Sequence, residues 1–148
     1  MRPPKDPSLA APSTIAWWSC PGIVYFLGVG NPTFAVKIGM LAVTEKLSIQ
    51  TAVARRVGHM QTSNHEPIQV LGLISFADCD FPTRAAEIKE RELHLKYSNL
   101  ARFKSGTKGA EWFNCSPELL AEISEIASTP ESFGVPKCYA ALALPSEA

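Results

Sequence analysis

The stretch from Gly22 to Met40 limits the fold more than any other part of the chain. Two short apolar runs, Gly22–Leu27 (GIVYFL) and Ala35–Met40 (AVKIGM), flank Gly28, Gly30, Asn31 and Pro32. Runs of that length, rich in β-branched and aromatic residues and bounded by turn formers, predict strands. The turn residues between them predict an antiparallel hairpin. Beyond it the period becomes helical: Ser48–Gln61 places Ile49, Val53, Val57 and Met60 on one stripe, with Ser48 as N-cap. Ile68–Ala77, opened by Pro67, predicts a third strand. Thr83–Tyr97 predicts a second helix, and Pro117–Ala127 a third, with Ser116 as cap and Pro117 at the first helical position.

The order β-β-α-β-α-α predicts an α/β (α+β) fold, a small, mainly antiparallel three-stranded sheet flanked by helices. The domain is expected over residues 22–127. Residues 1–21 are expected to form an irregular, Pro-rich arm, with Trp17 and Trp18 read as pinning it onto the core, the alternative being an exposed stacking platform. Residues 128–148 form a loop-like tail with a short extended piece at 138–144.

Composition narrows the function classes. The 148 residues carry 14 Lys+Arg and 14 Asp+Glu, so a uniformly basic, nucleic-acid-coating protein is excluded, whereas a local basic patch is not. The sum hides a partition. Up to Phe113 there are 13 basic and nine acidic residues; from Asn114 onward Lys137 stands against five acids. The acidic end is expected to sit away from nucleic acid or to screen the site when none is bound. Cys20, Cys79, Cys115 and Cys138 form no C-x-x-C pair, which argues against a zinc knuckle and for a reducing compartment. With no signal-like h-region and no long apolar run, the expectation is a soluble, intracellular, cytoplasmic protein without membrane contact.

The helical wheels reveal two charges on apolar arcs. On the second helix Ala86, Leu93 and Tyr97 share an arc that also contains Glu90. On the first, Arg56 falls between Ala52 and Ile49, whereas Arg55 points aside. A charge on an inward stripe is unfavourable unless it is paired or lines a cleft. Two readings are open: a structural Arg56–Glu90 ion pair, or an acidic metal ligand and a phosphate-binding guanidinium facing one site. His59 borders the Arg55 side. His94, at i+4 from Glu90, has spacing for joint metal ligation but equally for packing against a neighbour. His65 reads as a loop residue. Arg102, Lys104 and Lys108 lie in an acid-free stretch with two glycines, which reads either as a phosphate-neutralising loop or as a solvated one. Trp112 and Phe113 close it as core anchors.

Several of these segments, in order, resemble one family. GIVYFL followed by Lys37-Ile38-Gly39 resembles the paired strands of the GIY-YIG nuclease superfamily, in its T5orf172-domain branch, where the second motif commonly reads K-I-G. Arg56-Val-Gly-His-Met-Gln-Thr-Ser-Asn-His-Glu-Pro-Ile68 is similar to that branch's R-L-x-x-L-Q-T-G-N-P-x-P-L. Glu90-Arg-Glu-Leu-His94-Leu-Lys-Tyr97 resembles E-x-x-L-H-x-x-F, and Gly109-Ala-Glu-Trp-Phe113 resembles G-x-E-W-F. The resemblance spans about Gly22 to Ile126.

It implies divalent-metal-dependent hydrolysis of DNA phosphodiesters by an endonuclease or nicking module. Tyr25 would position or deprotonate water, Arg56 would clamp the scissile phosphate, and Glu90 would bind Mg²⁺ (or Mn²⁺). Lys37 stands where the superfamily has its second tyrosine, and so is expected to bind phosphate. His59 is a candidate proton carrier, and Arg55, Arg102, Lys104 and Lys108 are candidate DNA contacts. Residues 41–47, longer than usual in that position, are expected to form a substrate-side loop. A tyrosine with ordinary pKa near 10 is a poor base at pH 7, so Lys37 or Arg56 would have to lower it. No appended specificity domain is visible, so targeting would fall to oligomerisation, a partner protein or the loops. The alternatives are a DNA-binding module that does not cut and a protein-interaction scaffold on the same fold.

Overall fold

The computed structural model describes residues 6–44 and 46–140. In chain order its elements are α1 (Pro12–Trp18), β1 (Gly22–Val29), β2 (Ala35–Ala42), α2 (Ile49–Thr62), β3 (Ile68–Ser75), α3 (Pro82–Lys96), β4 (Trp112–Asn114) and α4 (Pro117–Ile126). The sheet is antiparallel and four-stranded, in the order β3-β1-β2-β4. The expected three-stranded sheet is therefore corrected by β4, which pairs with Ala35, Val36 and Lys37 of β2. Three residues are too few for a period-2 signal to register. Their partner lies more than 70 positions away, so no local turn announces the pairing.

β1 is the centre of the molecule. Every residue from Gly22 to Val29 is buried, which requires cover on both faces. One face carries Ile23, Tyr25, Leu27 and Val29 against Ala52, Val53 and Val57 of α2, together with Val135, Phe133 and Tyr139 from the chain after α4. The opposite face carries Val24, Phe26, Val36 and Ile38 against Ala86 and Leu93 of α3 and Leu119 and Ile123 of α4. A bulge in β3 opposite Phe26 and Leu27 shifts the register there.

Local signals account for two of the helix starts. The Ser48 and Ser116 side chains accept from the amides of Thr51 and Leu119, as N-caps do. The Gln61 carboxamide ties the turn after α2 into β3: its Nε2 donates to the carbonyls of Asn64 and Glu66, and its Oε1 accepts from the Ile68 amide. The Q-T-S-N stretch thus has a structural role. The arm is not wholly irregular, since it contains α1. Trp18 is buried against Phe81, ring centroids 6.2 Å apart, whereas Trp17 is 40% exposed. Of the loop expected at 41–47, Leu41 and Ala42 instead continue β2, and the buried Val43 donates its amide to the Pro21 carbonyl; residues 43, 44, 46 and 47 lie outside any helix or strand, and residue 45 lies outside the described residues. The tail lies along β3, with bridges Leu73–Ser128 and Gln69–Cys138. Residues 141–144 of the expected extended piece lie outside the described residues.

Gly39 sits directly across from Tyr25, and a Cβ there would fall 2.4 Å from the Tyr25 ring carbon Cζ. The Gly39→Ala substitution is expected to displace the ring and to destabilise the protein by about 1–3 kcal/mol. Gly58, in the exposed middle of α2, has nothing within 4 Å of such a Cβ. Gly58→Ala should instead stabilise by about 0.5–1 kcal/mol. Urea unfolding of both variants checks the opposite signs.

Candidate functional site

The site collects where β4 stops. Along the outer edge of β2, the Ile38 amide donates to the Glu111 carbonyl at 3.0 Å. Two residues on, β4 offers no partner, and side chains of α3 take over. His94 Nε2 lies 2.7 Å from the Ile38 carbonyl oxygen, and because a carbonyl only accepts, this nitrogen carries the proton. One helical turn earlier, the Glu90 carboxylate accepts from the Met40 amide. His94 also packs on Phe113, centroids 5.1 Å apart. It is therefore a positioning residue of the strand edge, and its i+4 spacing from Glu90 follows the spacing of the β2 groups they serve.

Tyr25 and Arg56 enter from the α2 face. Arg56 donates from one guanidinium nitrogen to the Tyr25 hydroxyl at 3.3 Å and stands 5.9 Å from the ring centroid. The Arg56–Glu90 ion pair is not formed. Arg56 is engaged with Tyr25, and Glu90 with the β2 backbone. Lys37, on the same sheet face as Tyr25, pairs with Glu111 across the β2–β4 junction, Nζ to Oε2 3.2 Å. Lys37 and Glu111 act electrostatically on both Tyr25 and Glu90, and so link the two halves of the site.

The two acids of the site respond to different forces. Burial pushes the Glu90 carboxyl up to about 7, helped by repulsion from Glu111 and Glu87 and opposed by the Met40 amide and Lys37. A partly buried carboxyl facing a second carboxylate suits a cation, which would relieve that repulsion and hold the ionised form. For Tyr25, burial raises the hydroxyl pKa, and the attraction of Lys37 and Arg56 only partly offsets it. The phenol keeps its proton at neutral pH, accepts from Arg56, and has its own O–H left to donate.

Beside Glu90 runs a groove of about 740 Å³, also lined by His94, Glu111, Arg102, Phe103 and Lys104. Here the 101–110 loop meets the carboxylates. The loop is shaped by successive turns, with Gly106 and Gly109 at positive φ. Lys104 and Lys108 are exposed on it, while Arg102 is bound to Asn114 Oδ1 at 2.6 Å. Arg55 and His59 are exposed on α2, and Arg55 borders a different hollow, with Gln50, Gly134 and Tyr139.

Sequence reasoning missed Glu111 as part of the site. Its one signal was the acid placed just before the Trp112–Phe113 anchor. No cluster of three or more potential metal ligands occurs among the described residues, and no helix among them is long and apolar enough to cross a membrane. No family model, curated protein or solved structure matches the chain.

Glu90 should titrate near pH 7 by carboxyl-carbon NMR, and Glu111→Gln should bring it down toward the ordinary carboxylate range. Its folded pKa exceeds the 4.5 of a free side chain, so its contribution to stability is present below that value and lost as pH rises toward about 7. Melting temperatures at pH 5 and pH 8 should therefore differ less in Glu90→Gln than in the wild type.

Proposed function

We propose that the protein is a divalent-metal-dependent nuclease that hydrolyses DNA phosphodiesters, with Glu90 as its metal-holding carboxylate. The observation that carries this reading is the junction at the β2 edge. The Lys37–Glu111 pair there acts on Glu90, whose carboxyl is raised to about 7, on one side, and on Tyr25, which accepts from Arg56, on the other. The four motifs resembling GIY-YIG nucleases add independent support, because they include Tyr25, Lys37, Arg56, Glu90 and Glu111.

Each side chain has a chemical task. Glu90 would hold Mg²⁺ or Mn²⁺, a hard cation that tolerates one protein carboxylate and several waters. When bound, the metal supplies Lewis-acid stabilisation of charge on the phosphate and leaving oxygen. Arg56 contributes planar, charge-assisted hydrogen bonds to phosphate oxygens. Tyr25, keeping its proton, orients the attacking water or a phosphate oxygen through its O–H and is not the base. Lys37, held by Glu111, neutralises phosphate charge close to Tyr25. Lys104 and Lys108 extend that positive field along the loop, a sequence-independent contribution. The free thiols of Cys20, Cys79, Cys115 and Cys138 suit action inside the cell, in the cytoplasm.

The test incubates supercoiled plasmid with the protein and Mg²⁺, Mn²⁺ or EDTA. Metal-dependent nicking is expected, with Arg56→Ala slower by about 100- to 1,000-fold and Glu90→Gln inactive. Tyr25→Phe should lose rate without shifting the pH profile, since its proton stays in place. Nicking that survives Glu90→Gln would overturn the assignment. Cleavage unaffected by EDTA would leave Glu90 a general acid rather than a metal ligand.

A further inference from the structure

The 101–110 loop has a second side. There it walls a groove of about 420 Å³ between the β1–β2 turn and the α2–β3 turn, within the roughly 300–1,000 Å³ range of small-ligand pockets. The lining is aromatic: Phe34, Phe103 and Trp112, with Arg102 and Glu66 at the rim. Phe34 and Phe103 are each 49% exposed, too open for core residues, yet both are held in place. The Phe34 amide donates to Val29 and its carbonyl accepts from Cys115, each at 3.0 Å. The Phe103 ring rests on Gly109, where a Cβ would come within 3.0 Å of it. The Arg102 guanidinium, fixed by Asn114, lies 5.8 Å from the Phe34 ring centroid.

Arg102 and Phe103 line both this groove and the one beside Glu90. A strand crossing the loop therefore passes from one to the other. The lysines divide the two sides. The aromatic groove is lined by Arg102, His65 and Glu66 but by no lysine. Lys104 stands on the Glu90 side, and Lys108 is exposed further along the loop. Half-exposed ring faces, a guanidinium 5.8 Å from one of them and lysines one step away match a nucleotide whose base is unstacked.

We propose that this groove stacks an unpaired nucleobase, so that the substrate is DNA that is single-stranded or locally unpaired next to the cut. The proposal rests on the nuclease reading and names the form of its substrate. In a closed duplex the base faces are buried in the stack and cannot enter.

The test measures binding in EDTA, so that no cut is needed. Fluorescence anisotropy compares a labelled single strand of about 12 nucleotides, carrying 2-aminopurine, with its blunt duplex. The single strand should bind about tenfold more tightly, with the 2-aminopurine emission quenched by stacking. Phe34→Leu and Phe103→Leu keep an apolar side chain but remove the ring. Each should weaken single-strand binding by roughly 5- to 150-fold; Phe34→Leu, whose side chain lines the aromatic groove and not the one beside Glu90, should leave duplex binding unchanged. Lys104→Ala and Lys108→Ala should weaken both forms and flatten the salt dependence.

Wild-type single-strand affinity in both Leu variants, or a preference for duplex, overturns the stacking proposal. Quenched, ring-dependent binding without any Mg²⁺-dependent nicking keeps the groove and removes the nuclease. Metal-dependent nicking with ring-independent binding does the reverse. Failure to bind either form overturns both.

Discussion

Burial of β1 on both faces is the constraint from which the rest of the architecture follows. A strand with eight consecutive buried residues can be stable only if every backbone group is paired and both side-chain faces are covered. β2 and β3 provide the pairing on either side. α2 covers one face and α3 with α4 the other. With α2 and α3 committed to opposite faces, no side chain of α2 meets one of α3 through the sheet. Arg56 and Glu90 therefore belong to opposite sides of the sheet, and the groups that act on both neighbourhoods, Lys37 and Glu111, stand at its β2–β4 edge.

The parts of this arrangement that were legible in the sequence are those with local signals. The hairpin showed through its apolar runs and turn residues, α2 and α4 through Ser48 and Ser116, and the inward stripes through periodicity. Leu93 and Ala86 are buried as the wheel implied, and Glu90 is partly buried beside them. β4 was not legible, because what makes Trp112–Asn114 a strand is the unpaired edge of Ala35–Lys37. The association of Phe133, Val135 and Tyr139 with the α2 face was hidden for the same reason. Proline and glycine at 130, 134 and 136 mark turns but carry no information about the surface on which those turns settle.

The candidate site divides along the same line. Arg56 and Glu90 stood out because charge on an apolar arc is a local contradiction, visible on a wheel. Glu111 violates no local rule. It matters because β-pairing sets it beside Lys37, 74 positions away in the chain. Tyr25 illustrates a different gap. Sequence could supply the neighbouring cations but not the weight of burial, and burial prevails. Phe34 and Phe103 could not be told from core aromatics by type or spacing. Only their half-exposure on a fixed backbone separates them.

The length of β4 decides whether there is a site at all. Were the strand to run three residues further, to Gly109, its backbone would take the Ile38 carbonyl and the Met40 amide in ordinary ladder bonds. His94 and Glu90 would then have no strand groups to bind, and a carboxylate on a packed helix face would be costly to retain. Because pairing ends at Glu111, α3 satisfies the last β2 groups with side chains, as buried backbone demands. The carboxylate that does so is left at a junction open to the 101–110 loop. The loop's glycine turns both end the strand and set its cations and Phe103 against the opening. One short strand therefore accounts for the side-chain partners of Ile38 and Met40, for the Lys37–Glu111 pair at its end, and for the two grooves that share Arg102 and Phe103.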